Sequence, residues 1–260
     1  MEDYLRNYTS TEKPRYADQT VISQWTEAKD TFKVVSYNIK YARKITKATE
    51  VLSTYNELKD ADAIFLQEMD LDGVKRISEA LGYNYIYYPA VLHPINGKDF
   101  GNAILSKWPM SDDYKVILPN KNINKRQRIA VIATLDYKGT KISAVCLHLG
   151  IFNRPTERRQ RIDKILATLP DDIKHVIVGG DFNTFTKKDH EEILHSFTQN
   201  GYDWITDNVG WTHHAWFLVG HKPSVDHFYT KNMNKVKSGK VIDQSASDHI
   251  PVWAELKLGN

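Results

Sequence analysis

Short apolar segments rich in β-branched and aromatic residues recur along the chain, joined by helical patterns in some places and by turns in others. Residues 32–39 and 174–178 have strand composition, whereas residues 44–58 carry apolar side chains at helical spacing. The turn Tyr137-Lys-Gly-Thr140 between two strand-like runs predicts an antiparallel hairpin. This mixture of connections indicates two mixed β-sheets packed face to face with helices outside, which is an α/β sandwich.

The same periodicities predict the other elements. We expect helices over residues 73–81, 155–169 and 189–199, the first ended by Gly82 and the second begun by Pro155. Further strands are predicted over residues 63–66, 83–88, 103–105, 129–137, 141–149, 225–229, 235–242 and 252–256. Because no Pro-, Gly- or Ser-rich linker interrupts the series, we predict one domain over residues 31–260, preceded by a polar extension over residues 1–30.

Composition excludes several classes of protein. The 35 Lys and Arg residues nearly balance the 32 Asp and Glu residues, so a strongly basic protein that coats polyanions is excluded. The single Cys146 permits no intrachain disulfide, and no apolar run reaches the roughly 18 to 20 residues that span a bilayer. We therefore expect a globular protein, without an integral membrane segment and monomeric. Residues 1–30 lack the apolar centre of a signal peptide, which leaves open a cytoplasmic protein and an exported one whose signal sequence has been removed.

Polar side chains cluster at the ends of the predicted strands, where open α/β sheets bind their ligands. Asn38 closes the first strand, Glu68 closes the second, and His148 lies near the end of another. Asp181 and Asn183 follow a pair of glycines that allows close backbone approach. Each of these residues, taken alone, could equally be a turn amide, a helix cap or a hydrogen-bonded core histidine.

Two further positions place a carboxylate beside an imidazole, since Asp226 precedes a histidine and Asp248 precedes His249. Hard divalent cations take oxygen ligands, so Glu68 with Asn38 and Asp248 could hold Mg²⁺ or Mn²⁺. A cation, neutral donors and a carboxylate-oriented histidine are what the hydrolysis of a phosphate ester requires. The sequence contains no structural-zinc spacing, no nucleophile motif and no glycine-rich phosphate loop that would indicate a different chemistry.

Seven short motifs occur in a fixed order between about residue 32 and residue 256. They are Ser36-Tyr-Asn38-Ile, Leu66-Gln-Glu68, Phe100-Gly-Asn102-Ala-Ile-Leu-Ser106, Leu147-His148-Leu, Gly179-Gly-Asp181-Phe-Asn183, Val225-Asp226-His and Ser247-Asp248-His249. In this order the chain resembles the endonuclease/exonuclease/phosphatase superfamily, which has the deoxyribonuclease-I-like fold. The resemblance implies a four-layer α/β sandwich, with the site where the loops of both sheets meet, and a metal-dependent phosphoric ester hydrolase.

The resemblance also implies a role for each matching residue. Glu68 would be the principal metal ligand, with Asn38 beside it and Asp248 nearby. Asp226 would orient His249, which would contact the scissile phosphate and help to activate the attacking water. The identity of the general base stays open at this point.

Three further residues receive roles in the same way. Asp181 would deliver or accept a proton, Asn183 would hold the phosphate or the water, and His148 would stabilise the charge that develops on phosphorus. Removing one positioned donor to such a charge typically costs on the order of a hundredfold or more in rate. We therefore expect His249→Ala and Asp181→Ala to abolish turnover while the protein stays folded.

The substrate is less constrained. Two groups of basic residues could follow a nucleic-acid backbone beside the site, or could simply be solvated. They are Lys121, Lys125, Arg126 and Arg128, and Arg154, Arg158, Arg159 and Arg161. The aromatic and histidine-rich residues 211–221 could stack bases, receive a lipid headgroup, insert at an interface or simply pack under the site. Their histidines, His213, His214 and His221, could also bind a second metal ion. Asn102, Arg126 and Trp216 are the candidate substrate-binding residues.

We expect a phosphodiester substrate, with a nuclease-type activity as the first candidate and nucleic acid as the partner it would require. The alternatives are a sphingomyelinase-like lipid phosphodiesterase, a small-molecule phosphodiesterase and a phosphatase. An abasic-site repair enzyme is disfavoured, since His148 stands where such relatives usually have Tyr. A non-catalytic binding module would be expected to have lost Glu68, Asp181 or His249, and all three are present.

Overall fold

The computed structural model describes residues 6–20, 30–93, 97–121, 125–214 and 222–259. Within these ranges the first sheet has seven strands. They are β1 (Tyr16–Asp18), β2 (Phe32–Asn38), β3 (Ala63–Met69), β4 (Asn84–Leu92), β5 (Asp99–Ser106), β12 (Met233–Lys240) and β13 (Val252–Leu258). Their spatial order is β1-β4-β5-β3-β2-β13-β12.

The second sheet has six strands in the described residues. They are β6 (Met110–Ile117), β7 (Ile129–Tyr137), β8 (Thr140–His148), β9 (His175–Asp181), β10 (Asp203–Trp204) and β11 (Asp226–Lys231), in the order β10-β11-β9-β8-β7-β6. The helices are α1 (Ile45–Thr54), α2 (Leu71–Leu81), α3 (Pro155–Leu166) and α4 (Lys187–Gln199).

Alternation of side chains along the strands divides the core into layers, because successive residues point to opposite faces of a sheet. Val34 packs in the core between the two sheets, whereas Val35 packs in a second core against α1 and α2. A third core lies between the second sheet and the pair α3 and α4. The predicted four-layer α/β sandwich, with two mixed sheets face to face and helices outside, is confirmed.

Several element bounds differ from the sequence prediction for identifiable reasons. Helix α2 begins at residue 71, two residues earlier than expected, because the Asp70 side chain caps it by accepting from the Gly73 N–H at 2.7 Å. Gly82 ends the helix in the left-handed conformation, as predicted. Strands β1, β6 and β10 were not predicted, since β10 has only two residues and the acidic pair Asp112-Asp113 gives β6 the composition of a loop.

Strand β1 lies within the predicted N-terminal extension and pairs antiparallel with β4 at the edge of the first sheet. The buried Lys115 side chain donates to the backbone carbonyls of Tyr8, Lys13 and Pro89. Residues 6–18 are thus held on the body of the molecule. The division at residue 30 stays a prediction.

The topology brings strand ends from both sheets to one edge of the molecule. In the described residues each sheet contains one parallel pair, β2 with β3 and β8 with β9. Asn38 at the end of β2 donates to Asp181 at the end of β9, which places the carboxyl ends of both pairs on the same side. Strand β11 runs antiparallel to β9 and begins where β9 ends, with Asp226 opposite Asp181. This edge carries most of the residues singled out from the sequence. Among the described residues, no helix has the length and apolar character needed to cross a membrane.

Candidate active site

A β-bulge places Glu68 in the site. The pairing of β3 with β5 shifts register between Leu66 and Met69, and Glu68 adopts a left-handed conformation with φ of 61°. Such a conformation costs a non-glycine residue about 1 to 3 kcal/mol, and bulges commonly redirect a side chain beside an active site. One Glu68 carboxylate oxygen accepts from the Tyr41 N–H at 3.1 Å, and the other lies 3.9 Å from Nε2 of His148.

Asp181 is the centre of the site. Its carboxylate accepts from Nδ2 of Asn38 at 3.0 Å and from the backbone and side-chain N–H groups of Asn183 at 2.9 and 3.2 Å. Nε2 of His148 lies 3.3 Å away and Nε2 of His249 lies 3.8 Å away. The preceding Gly180 has φ of 139°, and a Cβ there would lie 2.0 Å from a carbonyl oxygen of the adjacent strand. A glycine is therefore required for β9 to deliver Asp181 this close to β8.

Burial is the main cause that raises the pKa of Asp181 well above its usual range. The neighbouring carboxylates of Asp226 and Glu68 raise it further, whereas the positive charge on His249 opposes the shift. A carboxyl group with such a pKa can take up or release a proton near neutral pH.

Asp226 and His249 form a buried pair. Nδ1 of the His249 ring lies 3.0 Å from Oδ2 of Asp226, and the Thr212 hydroxyl accepts from the Asp226 backbone N–H at 3.0 Å. Burial alone would lower the pKa of His249, but the charges of Asp226 and Asp181 more than compensate and raise it to about 10. His249 is therefore an imidazolium at neutral pH, with Nε2 towards Asp181.

His148, unlike His249, is neutral. Burial, together with the positive charge of Arg128, holds its pKa well below the usual range, so the ring is neutral. Its Nδ1 has no hydrogen-bond partner among the described residues. The site thus combines one neutral and one charged imidazole on either side of the Asp181 carboxylate.

Asp248, predicted from the sequence as a metal ligand near Glu68, has other partners in the structure. Its carboxylate pairs with the Lys40 ammonium at 2.7 Å and lies 3.8 Å from Nε2 of His213. The His213 ring in turn packs on the His249 ring, with centroids 4.4 Å apart. Although burial would raise the pKa of Asp248, the contact with His213 and the nearby positive charges hold it well below its usual range. A metal-ligating role for Asp248 stays a prediction.

The donor sets in the described residues suit a divalent cation. Ligand atoms of Asp181, Asp226 and His249 lie within 4.8 Å of one another, and so do those of His213, Asp248 and His249. Carboxylate oxygens suit Mg²⁺ and Mn²⁺, whereas imidazole nitrogens suit transition-metal ions. The charged His249 ring has no free lone pair, so in that state the carboxylates supply the ligands. These buried clusters are consistent with a metal site.

The candidate substrate-binding residues lie at different depths. Asn102 is buried, and its side-chain amide donates to the carbonyl oxygen of Ile129 at 3.0 Å, which joins β5 to β7 across the two sheets. Arg126 is partly exposed, and together with burial its charge helps to lower the pKa of His93 to about 4. Trp216 lies outside the described residues. A substrate contact by each of the three stays a prediction.

Sequence reasoning missed four contributors to the site. The Lys40 ammonium pairs with the Asp248 carboxylate, and the Tyr41 backbone N–H donates to the Glu68 carboxylate. The Thr212 hydroxyl accepts from the Asp226 backbone N–H. Arg128 was taken as part of a basic loop but is buried beside the site. Lys40 and Tyr41 directly follow the first motif, which is the one signal in the sequence that could have indicated them.

In the candidate site, carboxylates and imidazoles meet at the carboxyl ends of parallel strands from both sheets, an arrangement typical of hydrolases. A sequence model of the Endonuclease/Exonuclease/phosphatase family matches residues 35–249, and the chain belongs to that family. Its members are metal-dependent phosphoesterases. A search of curated protein sequences finds no match.

Solved structures share the fold at low sequence identity. An endonuclease/exonuclease/phosphatase from Beutenbergia cavernae DSM 12333 is similar with a TM-score of 0.72 and 18% identity, over 88% of this chain and 72% of that chain. D. rerio TDP2, complexed with single strand DNA product, has a TM-score of 0.69 and 15% identity over 88% and 99%. The Bacteroides thetaiotaomicron VPI-5482 mannosyl-6-phosphatase Bt3783 has a TM-score of 0.64 and 18% identity over 86% and 99%.

Proposed function

We propose that this protein hydrolyses a phosphodiester by metal-assisted attack of water, with a nuclease-type activity. The observation that carries the proposal is the convergence of polar side chains from both sheets on the Asp181 carboxylate. They are Asn38, Asn183, His148 and His249. Buried titratable groups held this close together shift one another's pKa values, which is typical of functional sites.

In this proposal Glu68 and Asn38 hold Mg²⁺ or Mn²⁺, with Asp248 nearby. The bound ion would neutralise the phosphate charge and favour ionisation of the attacking water. Glu68 offers carboxylate oxygens at the rim of the site, where its side chain is still 15% exposed.

The two histidines and Asp181 divide the acid–base work. His249 is charged, so it donates to a phosphate oxygen and cannot accept a proton from water. Asp181, with its raised pKa, is the group able to accept that proton or to return one to the leaving oxygen. Neutral His148 provides a hydrogen bond to the phosphoryl group, and Asn183 fixes the Asp181 carboxylate.

Two cavities flank the site and favour a nucleic-acid substrate. A cavity of about 410 Å³ is lined by the basic residues Lys40, Arg43 and Lys44 together with Asp248, which suits a neighbouring backbone phosphate. An apolar cavity of about 380 Å³ is lined by Phe152 and Phe185, whose rings could stack a base. Phe152 is 73% exposed, so the same ring could instead insert at a lipid surface, but the basic cavity beside Asp248 favours a nucleic-acid backbone.

The test is a panel of substrates with each metal. Plasmid DNA, single-stranded RNA, sphingomyelin vesicles, a sugar phosphate and bis-p-nitrophenyl phosphate are incubated with Mg²⁺, Mn²⁺ or EDTA. We expect cleavage of nucleic acid in the presence of metal, weakening steeply with salt because backbone phosphates are bound. Asp181→Asn should abolish it, whereas Asp207→Asn, at an exposed residue paired with Lys235, should not.

Each outcome distinguishes the candidates. Turnover of lipid or sugar phosphate without cleavage of nucleic acid would make the nuclease assignment wrong and leave a metal-dependent phosphoesterase. Full activity in EDTA would contradict the metal requirement. Absence of turnover on every phosphoester with both metals would overturn the proposal.

A further inference from the structure

Arg128 is a buried arginine whose charge has no ion-pair partner in the described part of the chain. The residue is 7% exposed, and its Nε and Nη1 atoms lack any hydrogen-bond partner. An unpaired charge in the interior costs several kcal/mol, and buried guanidinium groups are normally paired. A group in this state points to a partner that arrives from outside the chain.

The other buried arginines show that this fold satisfies guanidinium groups where they serve structure. Arg158 pairs with Asp189 at 3.0 Å and donates to two backbone carbonyl oxygens. Arg161 donates to the Asn153 side chain and to two backbone carbonyl oxygens. Arg128 differs from both, although all three are nearly excluded from solvent.

The position of Arg128 relates it to the proposed active site. Its guanidinium lies over the Phe100 ring, 5.2 Å from the centroid, and that ring packs against the His148 ring at 5.9 Å. Glu68 and Asp181 are near enough for their charges to favour the charged form of Arg128, against the effect of burial. Neither carboxylate forms an ion pair with Arg128, so both influence its charge from a distance without contact.

Aromatic rings enclose the same region. Tyr41, His93 and Phe100 pack on one another with centroids 4.7 to 5.7 Å apart. Tyr41 is held there in a left-handed conformation, with φ of 57°, by the hydrogen bond of its N–H to Glu68. A strained backbone conformation of this kind persists only where the surrounding structure requires it. The packed rings lower the local dielectric constant, which strengthens any hydrogen bond made beside them.

We propose that Arg128 binds the phosphoryl group of the substrate, its unpartnered N–H groups donating to non-bridging oxygens. This inference rests on the proposed phosphoesterase function and deepens it. Arginine is suited to this role, since its planar guanidinium donates several hydrogen bonds and stays charged when buried. Arg128 directly precedes β7 and His249 precedes β13, so two different strands would supply positive charge to the bound phosphoryl group.

The experiment measures binding of inorganic phosphate by calorimetry and thermal unfolding, in Mg²⁺ and separately in EDTA. The variants are Arg128→Met, which keeps the length of the side chain without donors, and Arg128→Lys. Arg76→Met is the control, at an exposed arginine of α2 whose guanidinium lies 3.7 Å from the Asp72 carboxylate. For the wild type we expect the Tm to rise by about 3 to 5 °C at a phosphate concentration ten times the Kd.

Arg128→Met should weaken phosphate binding by about tenfold to a hundredfold, the usual effect of losing hydrogen bonds from a charged donor. Its Tm without phosphate should equal or exceed that of the wild type, because an unpaired buried charge is removed. A structural arginine would give the reverse, a lower Tm with unchanged phosphate affinity, and that result would overturn the proposal. No phosphate binding by the wild type in either buffer would also overturn it.

The Arg128→Lys variant and the comparison of hydrolysis with phosphate binding provide two further tests. If Arg128→Met does not fold, Arg128→Lys decides: weaker phosphate binding by about tenfold supports the proposal, and equal binding overturns it. Loss of phosphate binding in a protein that hydrolyses no phosphoester would leave Arg128 as an anion-binding residue and refute only the proposed function. Hydrolysis with unchanged kcat/KM and phosphate affinity in Arg128→Met would refute only the role of Arg128.

Discussion

Replacing Asp226 by Asn should change the charge of His249 over the physiological pH range. The Asp226 carboxylate lies 3.0 Å from Nδ1 of His249 and is the largest of the influences that raise the pKa of that ring. Asparagine has nearly the same size and can still accept the Nδ1 hydrogen bond, but it carries no charge. The substitution therefore removes the electrostatic effect with little change in packing.

The size of the fall in the His249 pKa follows from the charged groups that remain around the ring in the variant. In the wild type the two carboxylates overcome burial and raise the pKa of His249 from 6.5 to about 10. Without Asp226, the opposing carboxylate is that of Asp181, with its Oδ2 3.8 Å from Nε2 of His249. An adjacent opposite charge is worth about 1 to 3 pKa units, so we expect the variant to titrate about 2 to 3 units lower than the wild type. Each unit corresponds to about 1.4 kcal/mol.

Two assays report the change. Nitrogen-15 NMR of the histidine rings in metal-free protein follows the His249 titration directly, with His249→Gln to assign the signal. Hydrolysis of bis-p-nitrophenyl phosphate at fixed metal concentration follows its consequence. Below about pH 6 both proteins retain the imidazolium, whereas at pH 9 only the wild type does, so the deficit of the variant should grow with pH and reach about tenfold to a hundredfold.

Asp243→Asn is the matched control, because this carboxylate accepts from the Tyr55 hydroxyl and belongs to neither Asp–His cluster. It should leave the His249 titration in place. An unchanged His249 pKa in Asp226→Asn would refute the electrostatic reasoning. A deficit of the same size at pH 6 and pH 9 would show that Asp226 acts through orientation of the ring alone.

Three further predictions concern the scaffold. Gly180→Ala should lower the Tm by about 4 to 8 °C in calorimetry, because its Cβ would clash with backbone, whereas Gly82→Ala, with open space around its Cβ, should lose less. Cys146 should not react with a thiol reagent at pH 8 in the folded protein, because burial raises its pKa to about 12. Lys115→Met should make residues 6–18 about tenfold or more sensitive to limited proteolysis, because three carbonyl hydrogen bonds are lost.

Specific results would contradict each of these. Equal Tm losses at the two glycines would show that the backbone at Gly180 adjusts freely. Rapid labelling of Cys146 without denaturant would place the thiol at the surface. An unchanged digestion pattern in Lys115→Met would mean that pairing of β1 with β4 alone holds the N-terminal segment.

The regular elements could be predicted where local pattern and tertiary environment agree. Strand β7 was predicted over its observed bounds, and the hairpin to β8 has Tyr137 opposite Thr140 as expected. Lys138 and Gly139 both have positive φ, the conformation that this two-residue turn demands. Strand β6 was missed because Asp112 and Asp113 look like loop residues, and only its pairing with β7 at the sheet edge makes it a strand.

The site was predicted as a set of residues and not as a geometry. Motifs at the strand ends indicated Asp181, His148 and Asn38, and the structure brings these side chains into contact. The partners of Asp248 could not be foreseen, because Lys40 and His213 reach it from separate parts of the chain.

The sequence by itself determined the layers of the fold, through the period of its apolar residues, and the kinds of chemical group available for function. The tertiary structure alone decided the conformation and the charge state of those groups. Glu68 has a left-handed φ because the register of β3 against β5 shifts at this residue. Arg128 is buried with its Nε and Nη1 atoms unpartnered, whereas its basic neighbour Arg126 is partly exposed. Local pattern cannot encode either feature, because backbone conformation at a bulge and the pKa of a buried group depend on neighbours that are distant along the chain.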